Sequence, residues 1–416
     1  MEIGPTLSAI RRNKTGPILI CLQIALTLAL VVNSIFLINL ELEKIAKPLG
    51  TDVENTAVFN VALVDPLENM EPFVKNDLNE IRHIPGIIDA TVVSQPLHTG
   101  GGNGGGFRPV PELDSDLSKG VSINEIDEHG LNTLGIELLY GRNFRTDEIL
   151  YPLVNSQAET AEVALITESL AQSLFPDIAV AEVVGKMIYQ GDSGADPIEV
   201  IGIISDVAAH WVNYANEFAQ ATPYHYLFFP MVQTWYGEGH YYMFRTEPGK
   251  QDRLMAAVTD KLYEINPDRL FWEPSTQGEI VRTSQEGYRA MATILSIISV
   301  LMILITAFGI VGLASFTVNQ RTRQIGTRRA LGAKKRDILR YFLVENIMLT
   351  TIGVVLGSAM AYGIHLYLFS IMFIPKMSLT LIPVGVAALY LLGIAAVIGP
   401  AVRATAVPPA VASRAV

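Results

Sequence analysis

Four long stretches of the chain contain no Asp, Glu, Lys or Arg. They are 26, 31, 30 and 26 residues long and cover residues 15–40, 290–320, 346–375 and 377–402. About 20 apolar residues suffice for a helix to cross the hydrocarbon core of a bilayer, and helices buried in a soluble core are rarely charge-free over such lengths. The pattern therefore predicts four transmembrane helices, over residues 17–40, 290–320, 346–366 and 378–402.

The first stretch could instead be a cleaved signal peptide. Its apolar run is longer than the roughly 7–15 residues of a signal-peptide core. It also ends in Asn39-Leu40-Glu41-Leu42-Glu43, which lacks the small residues of a cleavage site. We therefore expect a retained membrane anchor.

Basic residues lie in three segments that the apolar stretches separate. Residues 321–345 hold eight Lys or Arg against Asp337 and Glu345. The other basic positions flank the first and last stretches: Arg11, Arg12, Lys14, Arg403 and Arg414. Lys and Arg favour the cytoplasmic side of a membrane. The segments predicted to be cytoplasmic are therefore residues 1–16, 321–345 and 403–416, which leaves 41–289 outside.

The outer segment is strongly acidic. Residues 41–289 hold 16 Lys and Arg and 38 Asp and Glu, a net charge of 16 − 38 = −22. Such a surface disfavours binding to nucleic acid or anionic lipid. The single cysteine, Cys21, lies in the first apolar stretch. The outer segment must therefore fold around its own core without a disulfide, and its 249 residues are enough for one.

Alternating apolar residues and turn signals predict an α+β fold for the outer segment. Its two ends are predicted to be βαβ-like units that pair as a split ferredoxin-like sheet. Their strands and helices are predicted at 56–64, 71–84 and 87–93, and at 241–246, 250–265 and 270–273. An inserted lobe is predicted over about 97–230. Its strands are predicted at 121–126, 163–167, 186–190 and 198–204, and its helix at 168–174.

A two-helix stalk is predicted where the outer segment meets the membrane. Residues 41–47 can continue the first helix into water, because Glu41 and Lys44 pair at a spacing of three, and Pro48 stops it. Residues 277–289 form a polar helical lead into the second span.

A glycine-rich run invites a comparison with phosphate-binding loops. Residues 100–106 contain six glycines, interrupted only by Asn103. No Gly-Lys-Ser/Thr follows, and no strand is predicted to lead into the run. A flexible loop is the better interpretation.

Catalytic and metal-binding patterns are missing from the sequence. It has no Walker A motif, no His-Glu-x-x-His, no Gly-x-Ser-x-Gly and no cysteine pair. His365 stands out, because an ionisable residue at membrane depth is often functional. Alternatively, it lies where the third helix is already leaving the bilayer. We expect a non-enzymatic chain without cofactor or metal.

The basic segment between the second and third spans is the most informative part of the chain. Anchoring to the inner leaflet would explain its charge. It would not explain why Ile325, Ala330 and Leu331 are interspersed among arginines, or why Gly332 follows where a helix can end. The pattern predicts a short basic amphipathic helix, a glycine break and a new helix. Such a helix is suited to docking into a groove of a soluble partner.

This segment resembles the signature of the FtsX-like permease domain of MacB-type ABC transporters. The signature runs Arg-Thr-Arg-Glu-Ile-Gly-x-Arg-Arg-Ala-Leu-Gly-Ala, and residues 321–333 follow it. Asp337-Ile338-Leu339 and Glu345 match its continuation. The notable departure is Gln324 in place of Glu, which removes one charge that could pair with a partner.

The resemblance extends over nearly the whole chain. Residues 400–404 and 408–414 are similar to the closing pattern Pro-Ala-x-Arg-Ala…Pro…Ala-x-Arg. In the outer segment, residues 141–144, 163–176 and 184–186 resemble the MacB periplasmic core domain. One helix, a large domain and then three helices is also the order that the family shows.

The resemblance implies a permease in the bacterial inner membrane, working as a dimer of one chain or of two related chains. A separate cytoplasmic ABC ATPase would bind the ATP. Its motion would be transmitted to the outer domain, where a porter-like part and an inserted lobe would meet a periplasmic adaptor and an outer-membrane duct. The coupling residues would be Arg321, Arg323, Gln324, Ile325, Gly326, Arg328, Arg329, Leu331, Gly332 and Asp337, and the helix-packing residues Gly353 and Gly357.

Several functions are compatible with this resemblance. Efflux of peptides, antibiotics or similar amphiphiles is the leading hypothesis. Lipoprotein release from the inner membrane and regulation of cell-wall hydrolases are alternatives within the family. A sensor receptor is an alternative outside it, which the four spans and the signature disfavour.

Overall fold

The computed structural model describes most of the chain, in nine ranges. These are residues 15–64, 69–112, 116–153, 161–191, 196–213, 221–232, 240–272, 274–372 and 374–406. Both basic termini lie outside them. The chain divides into an outer unit, Ala46–Gly287, and a membrane unit, Met1–Ile45 with Tyr288–Val416.

The described part of the outer unit contains twelve strands in one sheet. They are β1 (Thr56–Leu63), β2 (Ile87–Val93), β3 (Asn103–Arg108), β4 (Lys119–Ile126), β5 (Leu138–Gly141), β6 (Val163–Thr167), β7 (Met187–Gln190), β8 (Pro197–Ile204), β9 (Tyr226–Pro230), β10 (His240–Thr246), β11 (Arg269–Phe271) and β12 (Ser275–Thr276).

The helices number ten over the described residues. They are α1 (Thr15–Ala46), α2 (Glu71–Arg82), α3 (Gly130–Leu134), α4 (Glu168–Leu174), α5 (Gln251–Ile265), α6 (Gln277–Ser284), α7 (Glu286–Gln320), α8 (Thr322–Ala330), α9 (Lys335–Met372) and α10 (Leu381–Thr405). Two 3-10 turns, Thr146–Glu148 and Val180–Val183, complete the outer unit.

The two ends of the outer unit form the predicted split ferredoxin-like sheet. Its strand order is β11-β1-β10-β2, and each neighbouring pair is antiparallel. Helices α2 and α5 are amphipathic. The apolar side chains that they bury are Val74, Leu78, Ile81, Leu254, Val258 and Leu262. The α+β prediction for this domain is confirmed.

A fully buried ion pair joins the two halves of this sheet. Arg269 Nη1 and Nη2 lie 2.5 and 2.6 Å from the two carboxylate oxygens of Asp77, and neither side chain is exposed. Tyr242 donates its hydroxyl to Asp77 Oδ2 at 2.7 Å. Asp77 lies on α2, Tyr242 on β10 and Arg269 on β11, so one carboxylate connects elements from both βαβ units.

The inserted lobe closes into a ring of six strands. The sheet continues in the order β4-β3-β7-β8-β6-β9, and β9 returns to pair in parallel with β4. Helix α4 covers this ring with Leu170, Ala171 and Leu174. Sequence patterning missed β3, β5, β9 and α3, which are short or glycine-rich.

The predicted flexible loop over residues 100–106 is wrong for its second half. Residues from Asn103 onward form β3, which pairs with β4 and β7. A Cβ on Gly104 would lie 2.9 Å from the ring of Trp211, and one on Gly105 would lie 2.7 Å from the Gln190 amide. The glycines therefore allow large side chains to cover the strand, which is why its sequence lacks the usual strand pattern.

The membrane unit consists of α1, α7, α9 and α10, with α8 between the second and third of them. These four are long and apolar enough to cross a membrane. The third begins at Lys335 and ends at Met372, which is longer than the predicted span, and the fourth ends at Thr405.

One face of helix α1 packs against the other three. Ile24, Leu28 and Val32 are almost completely buried. A Cβ on Gly353 would lie 2.7 Å from Ile24 Cβ, and one on Gly357 would lie 2.8 Å from the Ala25 carbonyl oxygen. These two glycines of α9 thus permit close approach to α1.

The outer end of the membrane unit is tied by polar contacts. Lys44 lies 3.0 Å from Glu41 and 4.8 Å from the centre of the Tyr288 ring, so α1 continues past the apolar stretch as predicted. His365 is buried, accepts the Met377 N–H at 2.9 Å and packs edge-on against Phe36. It therefore holds the connection between α9 and α10 and is not on an exposed helix end.

Candidate functional site

The segment between the second and third spans folds as a short helix with a defined end. Helix α8 covers Thr322–Ala330. Gly332 has φ = +98°, the Gly332 N–H donates to the Arg329 carbonyl at 3.1 Å, and the Ala333 N–H donates to the Arg328 carbonyl at 3.0 Å. This is a Schellman motif, which requires a left-handed residue that glycine adopts without strain.

Helix α9 then begins with a cap of its own. The Asp337 carboxylate accepts the Lys334 N–H at 2.9 Å. A carboxylate in the first turn also favours the positive end of the helix dipole. Asp337 therefore helps to fix where the chain turns back toward the membrane.

One face of α8 is attached to the membrane unit. Arg321 Nη1, just before the helix, donates to Tyr341 Oη at 2.6 Å and lies 3.0 Å from Glu345 Oε2. At the other end, Arg329 donates to the Thr405 carbonyl at 2.9 Å, a group at the last turn of α10 that has no helical partner. Polar contacts thus hold both ends of α8.

Ile325, the apolar residue in the middle of α8, packs into the membrane unit, whereas its spacing among arginines suggested a contact with a soluble partner. Ile325 is 6 % exposed and belongs to the apolar core of the membrane unit, and Gly326 is also buried. Ile325 is therefore not available as an anchor for a soluble partner. A helical pattern identifies an apolar face but not what that face contacts.

Several side chains of α8 and its C-terminal end are exposed in the described structure. Arg323, Gln324 and Arg328 are exposed. Leu331, at the helix end, is 84 % exposed, an unusual position for a large apolar side chain without a partner. Arg328 lies 5.2 Å from the centre of the Tyr341 ring. The result is a rigidly held basic surface with one projecting leucine.

Three further residues hold α8, and of these the sequence indicated only Glu345, as part of the continuation of the signature. Tyr341, Glu345 and Thr405 supply the groups that hold α8. Tyr341 and Glu345 are four residues apart on α9, so both lie on one face of that helix. This spacing could have indicated that Tyr341 and Glu345 act together. The contact of Arg329 with Thr405 depends on how α10 packs, which no local pattern shows.

The described part of the outer unit also contains potential metal ligands and buried histidines. Among its described residues, no three His, Cys, Asp or Glu side chains are grouped so that they could hold a metal ion. Arg142 pairs with Glu148 through two contacts of 2.8 and 2.6 Å, which fixes the turn after β5. Burial lowers the pKa of His98 to about 4 and that of His240, beside Arg269, to about 3, so both are neutral at pH 7.

Two family models match different parts of the chain. The MacB-like periplasmic core domain matches residues 18–261, and the FtsX-like permease C-terminal domain matches residues 296–406. The chain belongs to the MacB-like, FtsX-type ABC permease family. The exposed basic helix with its glycine break lies within the FtsX-like match, and the inserted lobe and the first three strands of the split sheet, β1, β2 and β10, lie within the MacB-like match.

Several curated proteins are similar to this chain over much of its length. The macrolide export ATP-binding/permease protein MacB of Chromobacterium violaceum is 25 % identical over 251 residues, which are 60 % of this chain and 36 % of that protein. A probable export ATP-binding/permease protein MacB of Pseudomonas entomophila is 26 % identical over 330 residues, 77 % of this chain and 43 % of that one.

A shorter relative is the uncharacterized ABC transporter permease YknZ of Bacillus subtilis, 24 % identical over 58 % of this chain and 57 % of its own. The chain thus spans about two fifths or less of these MacB proteins and somewhat over half of YknZ. Among solved structures, the extracellular domain of YknZ from Gram-positive bacteria aligns with a TM-score of 0.30 and 13 % identity, covering 52 % of this chain and all of that one.

Proposed function

We propose that the chain is the permease subunit of a MacB-type ABC transporter that uses ATP hydrolysed by a separate cytoplasmic ATPase. Helix α8 binds the ATPase, and the membrane unit transmits the ATPase's motion to the outer unit. The transporter works as a dimer in the bacterial inner membrane with both termini in the cytoplasm. It exports peptides, antibiotics or similar amphiphiles.

The observation that carries this proposal is the way α8 is held. A helix that transmits motion must be rigidly attached on one face and accessible on the other. Arg321 and Arg329 attach its two ends, and Ile325 fills the core beneath it. Leu331 and the exposed arginines face outward. A membrane anchor alone would not need a Schellman end or contacts to two different spans.

The ATP-binding activity that this proposal requires lies outside these 416 residues. The 416 residues contain no Gly-x-x-x-x-Gly-Lys-Ser/Thr pattern, which a P-loop ATPase needs to bind phosphates. The relatives named as ATP-binding/permease proteins are longer than the matched region. Export of amphiphiles is supported by the macrolide export named for the Chromobacterium violaceum protein.

Distance measurements in the assembled complex test transmission directly. A spin label at Glu247→Cys, an exposed position of the outer unit, is placed in a Cys21→Ala background so that it is unique. We expect ATP to shift the distance distribution between the labels of the two copies, and Leu331→Asp to abolish the shift. Unchanged distances in a complex that hydrolyses ATP would refute transmission to the outer unit.

A further inference from the structure

A cavity of about 660 Å³ lies inside the membrane unit, beside α8. The walls come from α1, α7, α9 and α10, with Leu313, Phe316 and Phe342 among the apolar side chains. Its polar end is formed by Gln320, Arg321, Gln324, Glu345 and Asn346. A cavity of this volume is within the range of sites that enclose drug-sized ligands.

Asn346 is a polar group in the wall of this cavity. Its side chain is 6 % exposed, lines the cavity, and makes no hydrogen bond with the described residues. It lies against Gly393, where a Cβ would come within 2.9 Å of Asn346 Nδ2. One turn further along α9, the buried Thr350 hydroxyl is also without a partner among the described residues. Buried amides are almost always hydrogen-bonded, so Asn346 indicates a ligand atom in the cavity.

One side of the cavity opens toward the apolar exterior of the helices, and the exposed Gln320 and Gln324 lie at its polar end. Phe316 lines it and is 56 % exposed. Phe308 and Ile305, further back along α7, are exposed as well and continue this apolar surface. A ligand would therefore enter from the hydrocarbon region of the bilayer.

The charges of the cavity favour a ligand with neutral hydrogen-bonding groups at its buried end. Arg321 and Glu345 lie 3.0 Å apart and neutralise each other. Gln320, Gln324 and Asn346 can each donate and accept hydrogen bonds. Ester and hydroxyl oxygens with an attached acyl chain match both the amides and the apolar wall.

We propose that this cavity binds a membrane phospholipid. One acyl chain lies along Leu313 and Phe316, and ester and glycerol oxygens bond to Asn346 and Gln320. The lipid also contacts Arg321 and Gln324, the residues that begin α8. Binding of the lipid would therefore stabilise the position of α8 from the membrane side. This role goes beyond the transport function proposed above.

Photolabelling of the full chain tests this proposal. The protein is reconstituted in vesicles of phosphatidylethanolamine and phosphatidylglycerol that contain phosphatidylethanolamine with a diazirine near the ester end of one acyl chain. After irradiation, peptide mass spectrometry locates the label. We expect labelling of the peptides that hold Phe316 and Phe342.

Three substitutions test the proposal. Ala314→Phe fills the cavity and should reduce labelling of these peptides at least fivefold, whereas Ala387→Phe, exposed on α10 and outside the cavity, should leave it unchanged. Asn346→Leu keeps the volume but removes the amide, and it should also reduce labelling severalfold. Equal labelling in Ala314→Phe and Ala387→Phe would overturn the proposal.

A second copy of the chain is the competing occupant. A photoreactive amino acid in place of Phe316 should capture lipid. If it captures another copy of the chain instead, the cavity is part of a protein interface and the lipid proposal is wrong.

Discussion

Arg321 Nη1 lies 3.0 Å from Glu345 Oε2 and connects the start of α8 to the third span. The carboxylate of Glu345 is largely buried, so removal of its partner should leave a poorly solvated charge. We expect Arg321→Leu to destabilise the membrane unit by roughly 1–3 kcal/mol. The double variant with Glu345→Leu should be less destabilised than the sum of the two single variants.

Thermal unfolding of the full chain in detergent, run as a double-mutant cycle, measures this coupling. Additive effects of the two substitutions would show that the pair does not hold α8.

The buried Arg269–Asp77 pair gives the second prediction. Residues 46–287, which contain no cysteine, should form a soluble domain whose unfolding in urea is cooperative and insensitive to reductant. In that domain Arg269→Met should cost about 3–5 kcal/mol, because it leaves a buried carboxylate uncompensated. Tyr242→Phe, which removes one hydrogen bond to the same carboxylate, should cost about 1.5–3 kcal/mol. A larger loss in Tyr242→Phe than in Arg269→Met would contradict this ranking.

His240 makes the outer unit sensitive to acid. Burial, with a further contribution from Arg269, lowers its pKa from 6.5 to about 3. Between these values the unfolded chain binds one more proton than the folded one. The contribution of neutral His240 to the free energy of unfolding is therefore fully present above pH 6.5. As the pH falls below this value, the free energy of unfolding decreases by up to about 1.4 kcal/mol per pH unit.

His240→Phe should reduce the slope of unfolding free energy against pH, between about pH 4 and 6, by the equivalent of one proton. Urea unfolding at several pH values measures it. Identical slopes for the two proteins would mean that His240 is already protonated or accessible in the folded domain.

Orientation in the membrane is the fourth prediction. A reporter that is active only outside the cytoplasm should be active when fused after Gly249, at an exposed turn before α5, and inactive after Lys334. The acidic charge of the outer unit and the basic charge of the α8 segment predict opposite sides of the membrane for these two sites. Activity at Lys334 and not at Gly249 would reverse the assignment of sides.

Much of this architecture could be predicted from the sequence, because its strongest signals are local. Charge-free stretches indicate the spans, and Gly332 indicates where α8 ends, since few other residues adopt its conformation. The split sheet was also predictable from the spacing of its two βαβ units.

What the sequence could not show depends on contacts between distant residues. The glycines of β3 are covered by Trp211 and Gln190, which are far away along the chain. Ile325 has the spacing of a docking residue, but the membrane unit buries it. Arg329 has the pattern of an exposed charge, but it bonds to a carbonyl of α10.

We propose that α8 couples the membrane unit to an ATPase through its exposed face. Leu331 should contribute most, since burial of a leucine side chain in a groove is worth about 1.5–3 kcal/mol, whereas an exposed ion pair is worth about 0–1 kcal/mol. Arg323, which is exposed and not among the groups that attach α8, provides the matched control. Gly332→Val should also impair coupling, because a β-branched residue resists φ = +98°.

The most direct test is ATP hydrolysis by the reconstituted complex, measured together with capture of the ATPase by each variant. We predict that Leu331→Asp loses most binding and stimulation, whereas Arg323→Ala keeps most of both. If Leu331→Asp retains full stimulation and full binding while Arg323→Ala loses them, α8 is a charged membrane anchor and the coupling assignment is wrong.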